Sequence, residues 1–308
     1  MSHFEQITTA PGTQREGSEP GEEKAPLFIE YYTDPLCSWS WAFEAQWRRL
    51  RYDYPGQLNW RYRMGGMLPD WSSYADPLNE IHRPAQMGPQ WFQVHALSGM
   101  PLDPRLWQTD APDSSYPACL AVKAAERQGQ QCAESYLRRL REAALLECRN
   151  IARQEVLFAC AEEVAGRSSF HSFDFTRFRA DYEDPATLEI LRQDLRDAAY
   201  AGIGRFPTLI LHHHAGQSII LVGYRPYPLL RAALEYLAPG LPRRPEILPA
   251  DRVLEYLAHW GSLTAREVAE IVDNDTAQAE ELLGSLLSRR KITSIESKHS
   301  ATHLYARA

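Results

Sequence analysis

Residues 27 to 33 read LFIEYYT, and their β-branched and aromatic content predicts a buried strand. Downstream, Trp39, Phe43, Trp47, Leu50 and Tyr54 recur at spacings of three and four. That period predicts one helix over 39 to 54, stopped by Pro55-Gly56. LNWRYRM at 58 to 64 alternates between apolar and polar positions and predicts a second strand. Two strands joined through a helix are expected to pair in parallel.

From about residue 83 to 201 the pattern is mostly helical. PACLAVKAAERQG, CAESYLRRLREAALLE and ARQEVLFACAEEVAG carry strong helical character with glycine stops. RFPTLILHHHAGQSIILVGYRP then predicts two short strands joined at His-Ala-Gly-Gln, and YPLLRAALEYLA a closing amphipathic helix. The fold class is therefore α/β, over residues 26 to 238, with a helical subdomain inserted at 83 to 201. Residues 27 to 64 and 203 to 238 should share one sheet, with the hairpin at 207 to 222 beside the first strand. Residues 239 to 250 hold four prolines and read as a linker. Residues 251 to 308 carry a pattern of their own, three helices followed by two strands around Lys298–Ala301. This is a small winged-helix-like outline.

Composition narrows the function classes. Apolar residues make up 44% and charged residues 24% of 308, with a net charge of −7. Neither nucleic acid nor an anionic membrane is an expected partner. No run approaches the length of a membrane span. Residues 1 to 25 are rich in Gly, Ser, Pro, Glu and Gln, lack a secretory pattern, and read as a disordered leader. A cytoplasmic location is the expectation. Cys37, Cys119, Cys132, Cys148 and Cys160 are scattered singly, which argues against a disulfide framework and against a zinc site.

The chemistry-bearing stretch is DPLCSWSW, residues 34 to 41. A cysteine between a strand and a helix start is placed where unpaired amide donors favour a thiolate. The position three residues on, where a second thiol would complete a dithiol, holds Ser40. A single thiol can form a mixed disulfide but needs an outside thiol to release it. The blander alternative for Cys37 is a small buried hydrophobe. Trp39 fits the apolar stripe of the helix, leaving Trp41 as the candidate for an exposed wall. Asp34 could relay a proton or cap the turn. His212, His213 and His214 alternate faces along a strand and cannot converge on one metal ion. Cys119 reads as helix packing, with a distant resolving thiol as the alternative.

Four pieces occur in order: DPLCSW, SSYPACLAVKAA, ECRNIARQEVL and GIGRFPTLIL. Together they resemble the DsbA-like branch of the thioredoxin superfamily, nearest the FrnE-type oxidoreductases and the YjbH/SpxH protease adaptors. The resemblance implies a cis bond before Pro207, facing Cys37. It implies a catalytic role for Cys37, Ser40 and Pro207. It further implies substrate contacts from Trp39, Trp41, Phe206 and Thr208, with the Phe206 backbone meeting an extended peptide or glutathione. Three functions follow. The first is thiol–disulfide oxidoreductase chemistry at a monothiol Cys37. The second is a non-catalytic peptide-binding or protease-adaptor protein, and the third a glutathione-dependent isomerase or transferase. No cofactor is implied beyond glutathione as co-substrate; the partner is a thiol or disulfide-bearing protein or glutathione. The C-terminal helix TAQAEELLGSLLSRRK has no cation in its first turns. DNA reading is therefore disfavoured, and a protein partner or dimer contact is the better expectation.

Overall fold

The structure, a computed structural model, describes residues 25–76, 79–166, 173–296 and 302–308. The leader expected over 1 to 25 lies outside this set but for its last residue, as does the whole of the turn expected at Lys298–Ala301. Strand β1 (Leu27–Thr33) pairs in parallel with β2 (Leu58–Met64) and antiparallel with β3 (Thr208–His213), which pairs with β4 (Ser218–Val222). The sheet order is β2-β1-β3-β4, so the N-terminal unit and the late hairpin form one sheet, as the sequence pattern predicts. Strand alternation sorts the faces. Leu27, Ile29, Tyr31, Leu209 and Leu211 enter the main core, while Tyr32 and Ile210 pack against Ala198 on the other face.

The helix expected over 39 to 54 is two helices, α1 (Ser38–Ala42) and α2 (Glu44–Asp53). The break falls at Phe43, whose ring meets Tyr31 edge-on at 5.8 Å. Between β2 and β3 lie α3 (Met87–Ser98), α4 (Leu106–Thr109), α5 (Tyr116–Glu126), α6 (Gln130–Leu145), α7 (Gln154–Ala165), α8 (Phe175–Glu183) and α9 (Pro185–Tyr200). Helix α10 (Tyr227–Leu237) follows the hairpin. The C-terminal part contains α11 (Pro249–Trp260), β5 (Ser262–Leu263), α12 (Ala265–Ile271), α13 (Thr276–Ser288), β6 (Ile292–Glu296) and β7 (His303–Arg307). Its sheet order is β5-β7-β6, and the two-residue β5 has no counterpart in the sequence reading.

The C-terminal part is fastened to α2 and α6 through buried charge. Glu267 closes a capping box at the start of α12, accepting from the Thr264 N–H at 2.8 Å. The same carboxylate accepts from Arg138 at 2.8 and 3.0 Å and from Arg48 at 3.2 Å. All three side chains are at most 3% exposed, so each charge relies on the others in place of water. Ser262 donates to Glu142 at 3.0 Å, and Arg49 reaches Glu270 and Asp273. The proline-rich stretch expected as a linker lies against the end of α2: the Arg244 N–H donates to the Asp53 carbonyl at 2.7 Å, and Arg243 pairs with the Asp53 carboxylate.

Candidate functional site

The site begins where β1 ends. The Asp34 carboxylate accepts from the Leu36 N–H at 2.9 Å, and the Cys37 N–H donates to the Asp34 carbonyl at 3.1 Å. This tight turn delivers Cys37 as the N-cap of α1, its sulfur accepting from the Ser40 N–H at 3.4 Å. On its other side the Cys37 thiol donates to the Phe206 carbonyl at 3.5 Å. The Phe206–Pro207 peptide bond is cis. The Pro207 carbonyl is taken by the Gly223 N–H at 2.7 Å, which leaves Phe206 as the residue that presents backbone to Cys37.

Above the sulfur lies a cavity of about 1030 Å³, lined among others by Cys37, Trp39, Met67, Tyr74, Met87, Leu97, Phe206 and Tyr224. The Phe206 ring lies over Gly65 so closely that a Cβ there would fall 2.0 Å from it. Glycine at 65 is therefore what lets the ring lie down and form the floor.

The thiolate expectation does not hold. Cys37 is 4% exposed, and burial pushes its thiol above the ordinary value. Ser40, through its hydroxyl and its N–H, and Arg141 pull the other way without overcoming burial. Helix α1 has only five residues, too short for a strong terminal dipole. Ser40 is fully buried, and its hydroxyl has no other partner among the described residues.

The two tryptophans exchange their expected places. Positions 39 and 41 are about 200° apart around a helix, so one groove can receive only one of them. Trp41 is fully buried, its Nε1 donating to the Pro101 carbonyl at 2.9 Å and its ring 4.5 Å from the Arg138 guanidinium. Trp39 is half-buried and lines the cavity, its ring 5.9 Å from Tyr224. Thr208 is likewise no wall of the cavity: it is 1% exposed, and its hydroxyl donates to the Arg205 carbonyl at 2.8 Å.

Asp34 is both buried and capping. It also accepts from Met67 N–H and Ser115 Oγ, each at 2.7 Å, and from Cys119 Sγ at 3.4 Å. Burial pushes its carboxyl up, and these hydrogen bonds hold it back. Cys119 is pinned there with its thiol pushed well up by burial and by Asp34, so helix packing is the better description of it. The histidines diverge: His212 lies 3.1 Å from Glu30 and His214 2.6 Å from the Ala25 carbonyl. No metal-binding group occurs among the described residues, and no described helix is long and apolar enough to cross a membrane.

Sequence reasoning missed Tyr224. Gln46 on α2 donates to the Tyr224 hydroxyl at 2.8 Å and to Glu270 of α12 at 3.2 Å. The groove wall is thus tied to the C-terminal part, a link that no local pattern announces.

The family model described as Thioredoxin matches residues 31–232. The ClpXP adapter protein SpxH of Halalkalibacterium halodurans is 27% identical over 280 residues, 90% of this chain and 88% of that protein. SpxH of Bacillus subtilis is 27% identical over 283 residues, 91% and 89% respectively. Nine tenths of the chain cannot be matched without entering the part from α11 onward, so the likeness includes C-terminal residues. Among solved structures, a putative protein disulfide isomerase from Nitrosomonas europaea aligns with a TM-score of 0.56 at 21% identity, over 68% of this chain and 96% of that one. The cytosolic disulfide reductase DsbM from Pseudomonas aeruginosa aligns at 0.52 and 24%, over 68% and 97%. At these identities the structures speak for the fold.

Proposed function

From the premise that the chain belongs to the DsbA-like branch of the thioredoxin superfamily, in its SpxH subgroup, we propose that it is a protein-binding adaptor that hands client proteins to ClpXP. The observation that carries this reading is the pairing of Cys37 with Ser40 under a large, partly apolar groove. A buried thiol with a raised pKa and no neighbouring thiol is a poor exchange catalyst. The groove keeps what binding requires, a half-buried aromatic wall and, from the cis-proline loop, a backbone carbonyl on the cavity floor. The C-terminal part is read as a winged-helix-like module that supports the groove and meets a protein rather than DNA. Helix α13 presents Glu280 and Glu281 to solvent near its start, the wrong sign for phosphates.

The test is a pulse–chase measurement of protein half-lives in four strains: parent, chain deleted, ClpX deleted, and both deleted. An adaptor predicts a set of proteins stabilised by either deletion, with no further gain in the double. If no protein stabilised by loss of ClpX is also stabilised by loss of this chain, the reading is refuted.

A second reading retains one specific support, the Cys37 sulfur on the cavity floor. It is monothiol exchange, in which glutathione releases a client held as a mixed disulfide. The two readings part on whether replacement of Cys37 matters.

A further inference from the structure

The two edges of the four-stranded sheet are finished differently. The outer edge of β2 is closed by side chains. Gln130 donates to the Trp60 carbonyl, Lys123 Nζ donates to the Tyr62 carbonyl at 3.4 Å, and the Asp194 carboxylate accepts from the Met64 N–H at 3.0 Å. Arg61 and Arg63 add charge along the same strand. These are the devices by which a sheet edge is kept from pairing with another chain.

Strand β4 has none of them among the described residues. In its ladder with β3, the Gly223 N–H donates to Pro207 and the His213 N–H donates to Gln217. Alternation then makes Thr208↔Val222, Ile210↔Ile220 and His212↔Ser218 the non-hydrogen-bonded pairs. The backbone N–H and C=O of Ser218, Ile220 and Val222 consequently point away from β3, toward the open edge. The strand reads SIILV, with no charge, no proline and no break in register. Ile220 and Val222 are each 39% exposed.

The open edge leads into the groove. Val222 is followed by Gly223 and Tyr224, both of which line the cavity over Cys37. A strand added beside β4 would lie about 10 Å from β3, two strand spacings away, so a few further residues of the same segment reach the cavity.

We propose that β4 is a strand-addition site for the client: an extended, uncharged segment rich in β-branched side chains pairs with Ser218, Ile220 and Val222, and its continuation enters the groove over Cys37. This rests on reading the groove as a protein-binding site. A second copy of the chain is the weaker occupant. Self-pairing over five residues makes a ribbon roughly 17 Å long and one strand spacing wide, a small contact beside the ~1,200 Å² that a stable dimer buries. It would also leave both grooves unused.

The probe is a fluorescein-labelled dodecapeptide of alternating threonine and valine with a terminal lysine pair, read by fluorescence anisotropy on the full chain. Saturable binding is expected, weakened about tenfold or more by N-methylation of alternate peptide residues. Ile220→Pro removes only an outward N–H, a place where an edge strand tolerates proline, and should weaken binding by the same factor. Ile220→Lys, an edge charge that spares the backbone, should also weaken it, and Ile220→Thr should keep it within about twofold. Equal binding of the two peptides, or indifference to both Ile220→Pro and Ile220→Lys, overturns the proposal. So does a sedimenting dimer that Ile220→Lys splits, which would assign the edge to a second copy. The adaptor reading fails separately: half-lives indifferent to deletion of the chain would refute it while leaving a peptide-binding edge in place. Client turnover that survives Ile220→Lys would refute the edge and leave the adaptor.

Discussion

The Cys37 thiol lies 3.5 Å from the Phe206 carbonyl, so the thiol of the site and the backbone that would pair with a bound chain share a floor. A partner seated there meets both. The burial that creates this floor also keeps the thiol protonated.

Reactivity of Cys37 should follow from that burial. Its folded pKa is raised, so the thiolate fraction at neutral pH falls below that of an unperturbed cysteine. Alkylation by iodoacetamide, assigned to Cys37 by mass spectrometry, should be slower at pH 7 than in the urea-unfolded chain. Its rate should still be climbing above the ordinary value of 9.0. A midpoint near neutrality would contradict the structure.

Ser40→Cys should restore a dithiol. The Ser40 N–H already touches Cys37 Sγ at 3.4 Å, the turn geometry in which a second sulfur can close a bridge. Oxidation of the variant should remove two hydrogens by intact mass, and it should reduce insulin disulfides where the parent shows little. A variant that stays fully reduced under oxidant would show that this turn cannot close.

Glu267→Ala should destabilise the fold severely. It strips the α12 capping box and leaves Arg48 and Arg138 buried with less than their charge complement. Breaking a buried ion pair from one side costs about 3–5 kcal/mol. Urea unfolding should report a loss of that order, whereas Asp273→Ala, on an exposed carboxylate, should cost less than about 1 kcal/mol.

Acid should unfold the protein through its buried glutamates. Burial opposes ionisation of Glu30, Glu134 and Glu267, but hydrogen-bonding and charged partners win and hold each carboxyl below the ordinary 4.5: His212 ahead of Arg61 and Arg63 at Glu30, arginines at Glu134 and Glu267. A carboxyl lowered in the folded state contributes stability above its unfolded pKa and loses it as pH falls through the folded value. Stability should therefore drop steadily below pH 4.5, and Glu30→Gln should flatten that slope. Asp34 runs the opposite way. Its carboxyl is raised by burial, so Asp34→Asn should steepen the loss by removing a group that gains stability on protonation.

Much of the fold was readable in the sequence because its signals are local. LFIEYYT, LNWRYRM and the hairpin around His212–Gln217 reveal themselves by composition and turn residues, and they form one sheet. The site was half-readable. Cys37, Phe206 and Pro207 stand together, but which tryptophan meets the groove depends on the break at Phe43. The thiol's pKa depends on burial by chain more than a hundred residues away in sequence. Docking of the C-terminal part was hidden for another reason. The polar face of EAQWRRLRYD looks solvated, yet Glu44, Arg48 and Arg49 are buried there against opposite charges and Gln46 against hydrogen-bonding partners.

The most direct test of binding against chemistry is the half-life of ClpXP-dependent clients in a strain whose sole copy carries Cys37→Ala. An adaptor that holds clients by groove and backbone predicts half-lives equal to those of the parent strain. Half-lives as long as those of the deletion strain, with the Cys37→Ala protein present at normal abundance, would contradict the account and restore thiol exchange to first place.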